Sequence, residues 1–347
     1  MKGRQIILDE IGGRLAAALM VDGQLEDFLL DPPEDAPPAP GAIFRAIADR
    51  PMKGQGGMMM TLPDGQSALF RQAKGMAPGD ALLVQVTSYA EPGKAVAVTD
   101  RLIFKGRTVI VTPGAKGINV SRQIRDDDEK ERLLEAVHRS RAPEAPYGVI
   151  IRSGARSADA DEIAAETDDL LGLVDTVLGD ADTGPELLVA APNAHDLAWR
   201  DWSDPGRDEI SDGSDAFEAA GVLDALALLD DERVSLGQAS MFIEPTRALV
   251  AVDVNTGGDF SPASGLKANL AAARALPRQL RLRGLGGQIT LDLAPMPKKD
   301  RRQFEQALRA GLRADAVETS LVGWTPLGHF ELQRKRERLP LPKGLAQ

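Results

Sequence analysis

The sequence predicts a multidomain protein of the α/β class. Its 347 residues are enough for two or three domains. Residues 41–105 contain short apolar stretches separated by turn residues, a spacing typical of a small β-barrel. From residue 241 onward, apolar strands alternate with amphipathic helices, which indicates a sheet with helices packed on it.

The first 30 residues alternate apolar and polar side chains and predict two strands joined near Gly12 and Gly13. The proline-rich segment 31–40 cannot continue a strand or a helix, so it is predicted to be a linker. The barrel follows this linker, with a turn at residues 63–65.

The middle of the chain predicts an α/β unit, and residues 196–240 are ambiguous. The predicted elements are a strand at 106–114, a helix within 120–141, a strand at 148–154, an acidic helix at 159–181 and a strand at 186–192.

The last third is more regular. Its predicted elements are a strand at 241–255, a glycine loop at 256–265, helices at 266–284 and 298–315, and strands at 288–295 and 319–326. Pro277 lies inside the first of these helices and has no backbone N–H to donate, so a break in the helix is expected near Leu276.

Composition excludes several classes of function. The sequence has no cysteine, which removes disulfides, thiol catalysis and cysteine zinc sites. Its three histidines are far apart in sequence and form no HExxH or HxH pair, so no zinc site is expected. No apolar run has the length of a membrane span, and the first residues do not form a signal peptide. A cytoplasmic protein without membrane contact is expected.

Charge is distributed unevenly along the chain, although the net charge is −11. Residues 156–233 contain 22 acidic and 4 basic side chains, whereas residues 274–338 contain 14 basic and 7 acidic ones. The basic stretch could bind phosphates. A solvated helix surface would give the same pattern.

Two aspartates end apolar strands: Asp253 in ALVAVDVN and Asp292 in QITLDL. Asp292 follows Asp253 by 39 positions, and the intervening segment contains one helix, which suits a strand–helix–strand crossover that brings the strand ends together. Two carboxylates with the amide oxygen of Asn255 would suit Mg²⁺, an ion that can activate water and neutralise charge on a phosphodiester. Helix capping and ordinary turn chemistry are the alternatives for these residues.

Three motifs together resemble the ribonuclease E/G family: AVDVNTGG, ANLAAARALPRQLRLRGLGGQITLDLAPM and LGHFELQRKR. The resemblance extends over essentially the whole chain and implies the following organisation. Residues 1–35 and 187–238 would form a divided ribonuclease-H-like subdomain, 36–105 an OB-fold RNA-binding barrel, 106–186 a sensor of 5′-monophosphorylated RNA, 239–342 a DNase-I-like catalytic subdomain and 343–347 a tail.

The same resemblance implies roles for individual residues. Asp253 and Asp292 would bind Mg²⁺, or Mn²⁺ in its place, and Asn255 would position them. The 5′-phosphate sensor would comprise Gly106, Ile110, Arg152 and Ser153, with Ser153 in place of the family's threonine. The RNA-binding residues would be Lys94, Phe44, Phe70, Arg281, Arg334 and Arg336.

The resemblance implies a Mg²⁺-dependent endoribonuclease that cuts single-stranded RNA, leaves 5′-phosphate and 3′-hydroxyl ends and prefers 5′-monophosphorylated substrates. Some positions differ from the family pattern: Met58, Met59 and Met60 replace barrel aromatics, and Arg247 and Gly284 replace acidic residues. The family's zinc-linking cysteines and small domain are absent from this sequence, so a homodimer would not be linked by zinc. A non-catalytic RNA-binding paralogue and a Mg²⁺ phosphodiesterase acting on DNA or nucleotides are the alternatives.

Overall fold

The computed structural model describes residues 3–52, 54, 56–91, 93–203, 208–259, 261 and 263–346. Outside the described residues lie 204–207 of the ambiguous segment, residues 260 and 262 of the predicted glycine loop, and residue 347 of the predicted tail. The strands are β1 Arg4–Ile11, β2 Arg14–Val21, β3 Gln24–Leu30, β4 Ile43–Pro51, β5 Met58–Thr61, β6 Ser67–Phe70, β7 Ala81–Ser88, β8 Val96–Thr99, β9 Phe104–Lys105, β10 Val109–Thr112, β11 Gly117–Val120, β12 Gly148–Ile151, β13 Glu186–Val189, β14 Asp208–Asp212, β15 Arg233–Leu236, β16 Ala239–Pro245, β17 Val250–Asn255, β18 Gly287–Asp292, β19 Thr319–Trp324 and β20 Phe330–Arg334.

The α-helices of the described residues all follow strand β11. They are α1 Asp127–His138, α2 Ala160–Leu178, α3 Ala194–Trp202, α4 Ala216–Ala219, α5 Val222–Ala227, α6 Ser264–Leu282 and α7 Arg301–Ala314. Within the described residues, none of these helices is long and apolar enough to cross a membrane.

The first sheet has the strand order β14-β1-β2-β3. Its amino-terminal part contains three strands instead of the predicted two, because Asp22 and Gly23 adopt positive φ and form a second tight turn. Helix α3 packs on one face of the sheet, while α4 and α5 cover the other.

The predicted barrel is present as a closed arrangement of five strands. The pairing order is β4-β5-β6-β8-β7, and β7 pairs again with β4 to close the ring. Such closure is consistent with an OB-fold. Strand β13 adds to this sheet beside β4, so the expected domain boundary at residue 187 falls within a strand of the barrel sheet.

A smaller sheet of order β11-β12-β10-β9 follows the barrel, with α1 and α2 beside it. Asp126 and Asp159 cap these helices by accepting hydrogen bonds from the amides of Glu129 and Glu162. This is the predicted α/β unit, except that the strand expected at 186–192 is β13 and belongs to the barrel sheet.

The last sheet has the order β15-β16-β17-β18-β20-β19 and shares a hydrophobic core with α6 and α7. The single strand expected over 241–255 is a hairpin, since the chain turns between Pro245 and Val250. Helix α6 runs unbroken through Pro277, contrary to the expected break. Because Pro277 has no N–H, the carbonyl oxygen of Ala273 lacks its usual helical donor. Helix α7 packs closely at this point of α6: a Cβ added at Gly311 would lie 3.0 Å from that oxygen.

Candidate active site

Asp253 and Asp292 occupy equivalent positions at the carboxyl ends of adjacent strands. β17 and β18 are parallel, and Asp253 and Asp292 are register partners. Because side chains alternate along a strand, the buried valines and Leu291 next to them face the core while both aspartates face solvent on the opposite side. The strand–helix–strand crossover therefore places the two carboxylates side by side, as the sequence predicted.

Asn255 lies on the same face of β17, two residues after Asp253. Its Nδ2 donates a hydrogen bond to Asp253 Oδ2 at 2.7 Å. The carboxylate is thereby oriented, and Asp253 keeps its other oxygen for a further partner. The amide group thus positions the aspartate through a direct contact.

Helix capping does not account for either aspartate. The residue before α6 is Ala263 and the residue before α7 is Asp300, and neither supplies a side-chain cap. The polar face formed by Asp253, Asn255 and Asp292 is therefore available to a ligand.

His329 was not identified from the sequence but lies beside this face. It precedes β20, and its Nδ1 is 3.6 Å from Asp292 Oδ1. That nitrogen is buried and has no hydrogen-bond partner among the described residues. Its signal in the sequence was weak, because the contact depends on the pairing of β20 with β18.

A positively charged side chain, Arg301, lies close to Gly328, the residue that precedes His329. The Arg301 guanidinium stacks on the Trp324 ring, 4.0 Å from its centroid, and a Cβ added at Gly328 would lie 3.6 Å from Arg301 Nη2. Arg301 belongs to the basic stretch 274–338 that the sequence shows. Its position would suit a phosphate approaching the aspartates.

The segment after Asp292 is fixed by a buried asparagine on α6. Asn269 Nδ2 donates to the Ala294 carbonyl at 2.9 Å, and the Ala294 amide donates to Asn269 Oδ1 at 3.0 Å. Asn269 is fully buried. These reciprocal bonds hold the chain two residues beyond the aspartate, and they were not foreseen from the sequence.

The residues present fit a hard divalent cation. Two exposed carboxylates share one sheet face, and one of them is oriented by an amide, so the face offers the oxygen ligands that such an ion prefers. A second acidic group, Asp180, Asp182 and Glu186, lies near the barrel. Since Arg45 is ion-paired with two of its members, Asp180 and Glu186, that group has a structural explanation.

The expected phosphate-sensor residues belong to the small sheet and the loops that follow its strands β9 and β12. Arg152 follows β12 and donates to the Gly106 carbonyl, and its Nη2 lies 2.7 Å from Asp201 Oδ1. Ile110 is half-buried on β10, and half-buried Ser153 follows Arg152. The structure therefore brings Arg152 into contact with Gly106 and gives Arg152 an acidic partner within the chain. No such contact joins Ile110 or the Ser153 side chain to them among the described residues.

Asp201, from α3, is the centre of this charge cluster. Its carboxylate contacts Arg152, Lys105 at 2.8 Å and Arg200 at 2.7 Å. Burial by itself would raise the pKa of Asp201, but hydrogen bonds and charges from Arg200 and Lys105 outweigh it and hold the pKa well below its ordinary value. Asp201 is therefore charged at neutral pH.

A groove of about 1400 Å³ runs past this cluster. It is bordered by the first sheet, the barrel, the small sheet and the segment after β20. The basic side chains along it are Arg14, Arg101, Lys105, Arg107, Arg152, Arg200, Arg281, Arg313, Lys335 and Arg338. Seven acidic side chains line the same groove, so the basic side chains exceed the acidic ones by three: Asp27, Asp31, Glu166, Asp196, Asp201, Asp315 and Glu337.

Four of the six expected RNA contacts are buried. Phe44 and Phe70 are 7% and 3% exposed and belong to the barrel core, so their rings do not present a stacking surface. Arg281 and Arg334 are 8% and 1% exposed and pair with Asp315. Long-range carboxylates thus occupy these arginines, and the expectation that they contact RNA is corrected.

The other two expected contacts remain accessible. The Lys94 side chain is 68% exposed and paired with Glu91. Arg336 is 29% exposed and lies 3.1 Å from the same glutamate. Arg336 therefore connects the last sheet to the barrel while keeping part of its guanidinium in solvent.

Comparison with known proteins adds a family match. A model of the ribonuclease E/G family matches residues 103–220 and 209–337 of this chain. Ribonuclease G of Salmonella typhimurium (strain SL1344) is 28% identical over 299 residues, covering 75% of this chain and 60% of that protein. Ribonuclease E of Nostoc sp. (strain PCC 7120 / SAG 25.82 / UTEX 2576) is 27% identical over 356 residues, covering 90% of this chain and 51% of that protein. The chain thus spans between half and two thirds of the length of these relatives.

Proposed function

Because this chain belongs to the ribonuclease E/G family, we propose that it is a Mg²⁺-dependent endoribonuclease acting on single-stranded RNA. The products would carry 5′-phosphate and 3′-hydroxyl ends. The main support is the register pairing of Asp253 with Asp292 on an exposed sheet face. Mn²⁺ is a second ion suited to the same oxygen ligands.

Asp253 and Asp292 would hold the cation, and Asn255 would keep Asp253 in the binding orientation through its 2.7 Å hydrogen bond. When bound, the ion supplies Lewis-acid activation of water and neutralises charge that develops on the phosphodiester. Arg301, stacked on Trp324 beside the same site, would contact the phosphate next to the cleaved bond.

We further propose a preference for RNA with a 5′-monophosphate. Arg152 would grip the terminal phosphate, Ser153 would donate its hydroxyl, and the backbone at Gly106 and Ile110 would shape the pocket. The position of Arg152 on the groove, beside Lys105 and Arg200, supports this. Lys94 and Arg336 would contact the RNA backbone.

Cleavage of a labelled single-stranded oligonucleotide in Mg²⁺ tests the proposal. We expect D253N and D292N to lose at least about a thousandfold in rate, because each removes a charged metal ligand. E244Q is the matched control, since Glu244 is an exposed carboxylate on the neighbouring strand β16. Equal cleavage by D253N, D292N and wild type would refute the mechanism.

Two further measurements separate the alternatives. Mn²⁺ binding, followed by electron paramagnetic resonance, should weaken in D253N and D292N but not in E244Q. A DNA oligonucleotide of the same sequence should remain intact, and its cleavage would indicate a general phosphodiesterase. RNA binding without metal-dependent cleavage would indicate a non-catalytic paralogue.

A further inference from the structure

The loop between β9 and β10 forms an anion cradle that a side chain of the protein already fills. The amides of Arg107 and Thr108 donate to the two oxygens of Glu166 at 2.6 and 2.7 Å. The Thr108 hydroxyl donates to the same carboxylate. Successive backbone N–H groups that converge in this way bind anions, including phosphates.

Glu166 fits closely because residue 106 is glycine. It extends from α2 toward the loop, and a Cβ added at Gly106 would lie 2.5 Å from Glu166 Oε1. The carboxylate is therefore seated against the backbone at one of the four expected sensor positions.

The amides of this loop lie beside the groove described above. Gly106, Arg107, Arg152 and Glu166 all line it. Arg152 also donates to the Gly106 carbonyl, so its guanidinium borders the loop that holds Glu166. A phosphate that reached these amides would therefore lie near a guanidinium, but Glu166 now accepts the hydrogen bonds that the phosphate would need.

We propose that Glu166 is an internal competitor for the 5′-terminal phosphate of RNA. Its carboxylate must leave the amides of Arg107 and Thr108 before the phosphate binds there, so Glu166 limits how strongly the protein distinguishes 5′-phosphorylated from 5′-hydroxylated RNA. The inference rests on the 5′-phosphate preference proposed above.

Removing the negative charge of Glu166 should increase the preference for 5′-phosphorylated RNA. A carboxylate and a phosphate are both anions, and they cannot share the same two N–H donors. Glutamine at position 166 keeps the size of the side chain but accepts hydrogen bonds without a negative charge, so it competes less well. The preference for 5′-phosphorylated RNA should therefore rise.

The experiment compares initial cleavage rates on two RNAs that differ only in a 5′-monophosphate or a 5′-hydroxyl. We expect the rate on 5′-phosphorylated RNA, divided by the rate on 5′-hydroxylated RNA, to rise about tenfold in E166Q. That factor corresponds to the loss of roughly one charge-assisted hydrogen bond by the side chain that competes with the phosphate. D169N is the control, because Asp169 is an exposed carboxylate on the same helix. It should leave the ratio unchanged.

A purely structural role for Glu166 predicts a different result for E166Q in stability and in the rate ratio. If Glu166 only braces the loop, E166Q would lower the thermal stability and leave the ratio at the wild-type value. An unchanged ratio in an enzyme that cuts RNA would overturn the inference while leaving the nuclease proposal intact.

A second measurement uses the wild-type chain and does not require catalysis. Displacement of Glu166 should shift the amide resonances of Arg107 and Thr108 when a 5′-phosphorylated dinucleotide is added, with no shift for its 5′-hydroxyl counterpart. Unmoved resonances would overturn the inference even if E166Q failed to fold. Absence of RNA cleavage by the wild type would instead count against the proposed function.

Discussion

Arg334 Nη1 lies 2.6 Å from Asp315 Oδ2, and both side chains are 1% exposed. Arg281 contacts the other oxygen of Asp315 and also pairs with Glu26 at 2.7 Å. The network therefore joins the last sheet, the segment after α7 and the first sheet. Buried charges of this kind are costly to separate, because the remaining partner is left without compensation.

We expect R334Q to lower the free energy of unfolding by about 3 to 5 kcal/mol, since it breaks a buried ion pair. Urea denaturation followed by circular dichroism measures the change. R336Q serves as the control, because the Arg336 side chain is 29% exposed and should contribute about 1 kcal/mol or less. Equal midpoints for the two variants would contradict the buried-pair interpretation.

N255A should raise the Mg²⁺ concentration needed for half-maximal cleavage by about 10- to 100-fold, the usual effect of losing a group that orients a metal ligand. The reason is the lost bond to Asp253. A Mg²⁺ titration of the cleavage rate measures it. N119A, which alters an exposed asparagine on β11, should behave as wild type. An unchanged Mg²⁺ requirement in N255A would show that Asp253 needs no such orientation.

D201N tests the charge cluster through pH. Because the folded-state pKa of Asp201 lies below its ordinary value of 3.8, its stabilising contribution is complete above about pH 4 and is lost as the pH falls through the folded-state pKa. Wild type should exceed D201N by about 1 to 3 kcal/mol in unfolding free energy near pH 7. Urea unfolding at several pH values should show this difference shrinking only below about pH 4. A difference that already declined near pH 6 would assign the effect to another group.

Phe70 distinguishes a core role from base stacking. F70A should destabilise the protein by about 3 to 5 kcal/mol, because it empties space in the barrel core. F70L keeps most of that volume and should bind single-stranded RNA as tightly as wild type in a fluorescence anisotropy assay. A stacking ring would instead cost about 1 to 3 kcal/mol of binding energy when replaced. Weakened RNA binding by folded F70L would therefore contradict the core assignment.

The adjacency of Asp253 and Asp292 could be predicted because its signal lies in the sequence pattern. Apolar residues before Asp253 and Asp292 define strand ends, and the 39-residue spacing with one helix favours a parallel crossover. Both observations can be made from the order of residues in the sequence, without knowledge of tertiary contacts. The roles of the metal and the sensor residues stay predictions.

The ion pairs of Arg281 and Arg334 could not be predicted from the sequence. Arg281 and Arg334 occur in basic runs that resemble an exposed surface, yet Asp315, which neutralises both, comes from a different part of the chain. The partners of Arg152 and the seat of Glu166 are likewise set by tertiary packing. Periodicity identifies elements, but it does not identify which charges meet across them.

The first sheet has a consequence for biosynthesis. Strand β14 lies parallel to β1 although it follows about 200 residues later in the chain. A nascent polypeptide emerging from the ribosome can pair β1, β2 and β3 early, but the open edge of β1 must wait until the barrel and the small sheet have been translated. During that interval the edge is a template for pairing with other chains. Slowing translation before residue 208 should therefore increase aggregation of this protein in the cell.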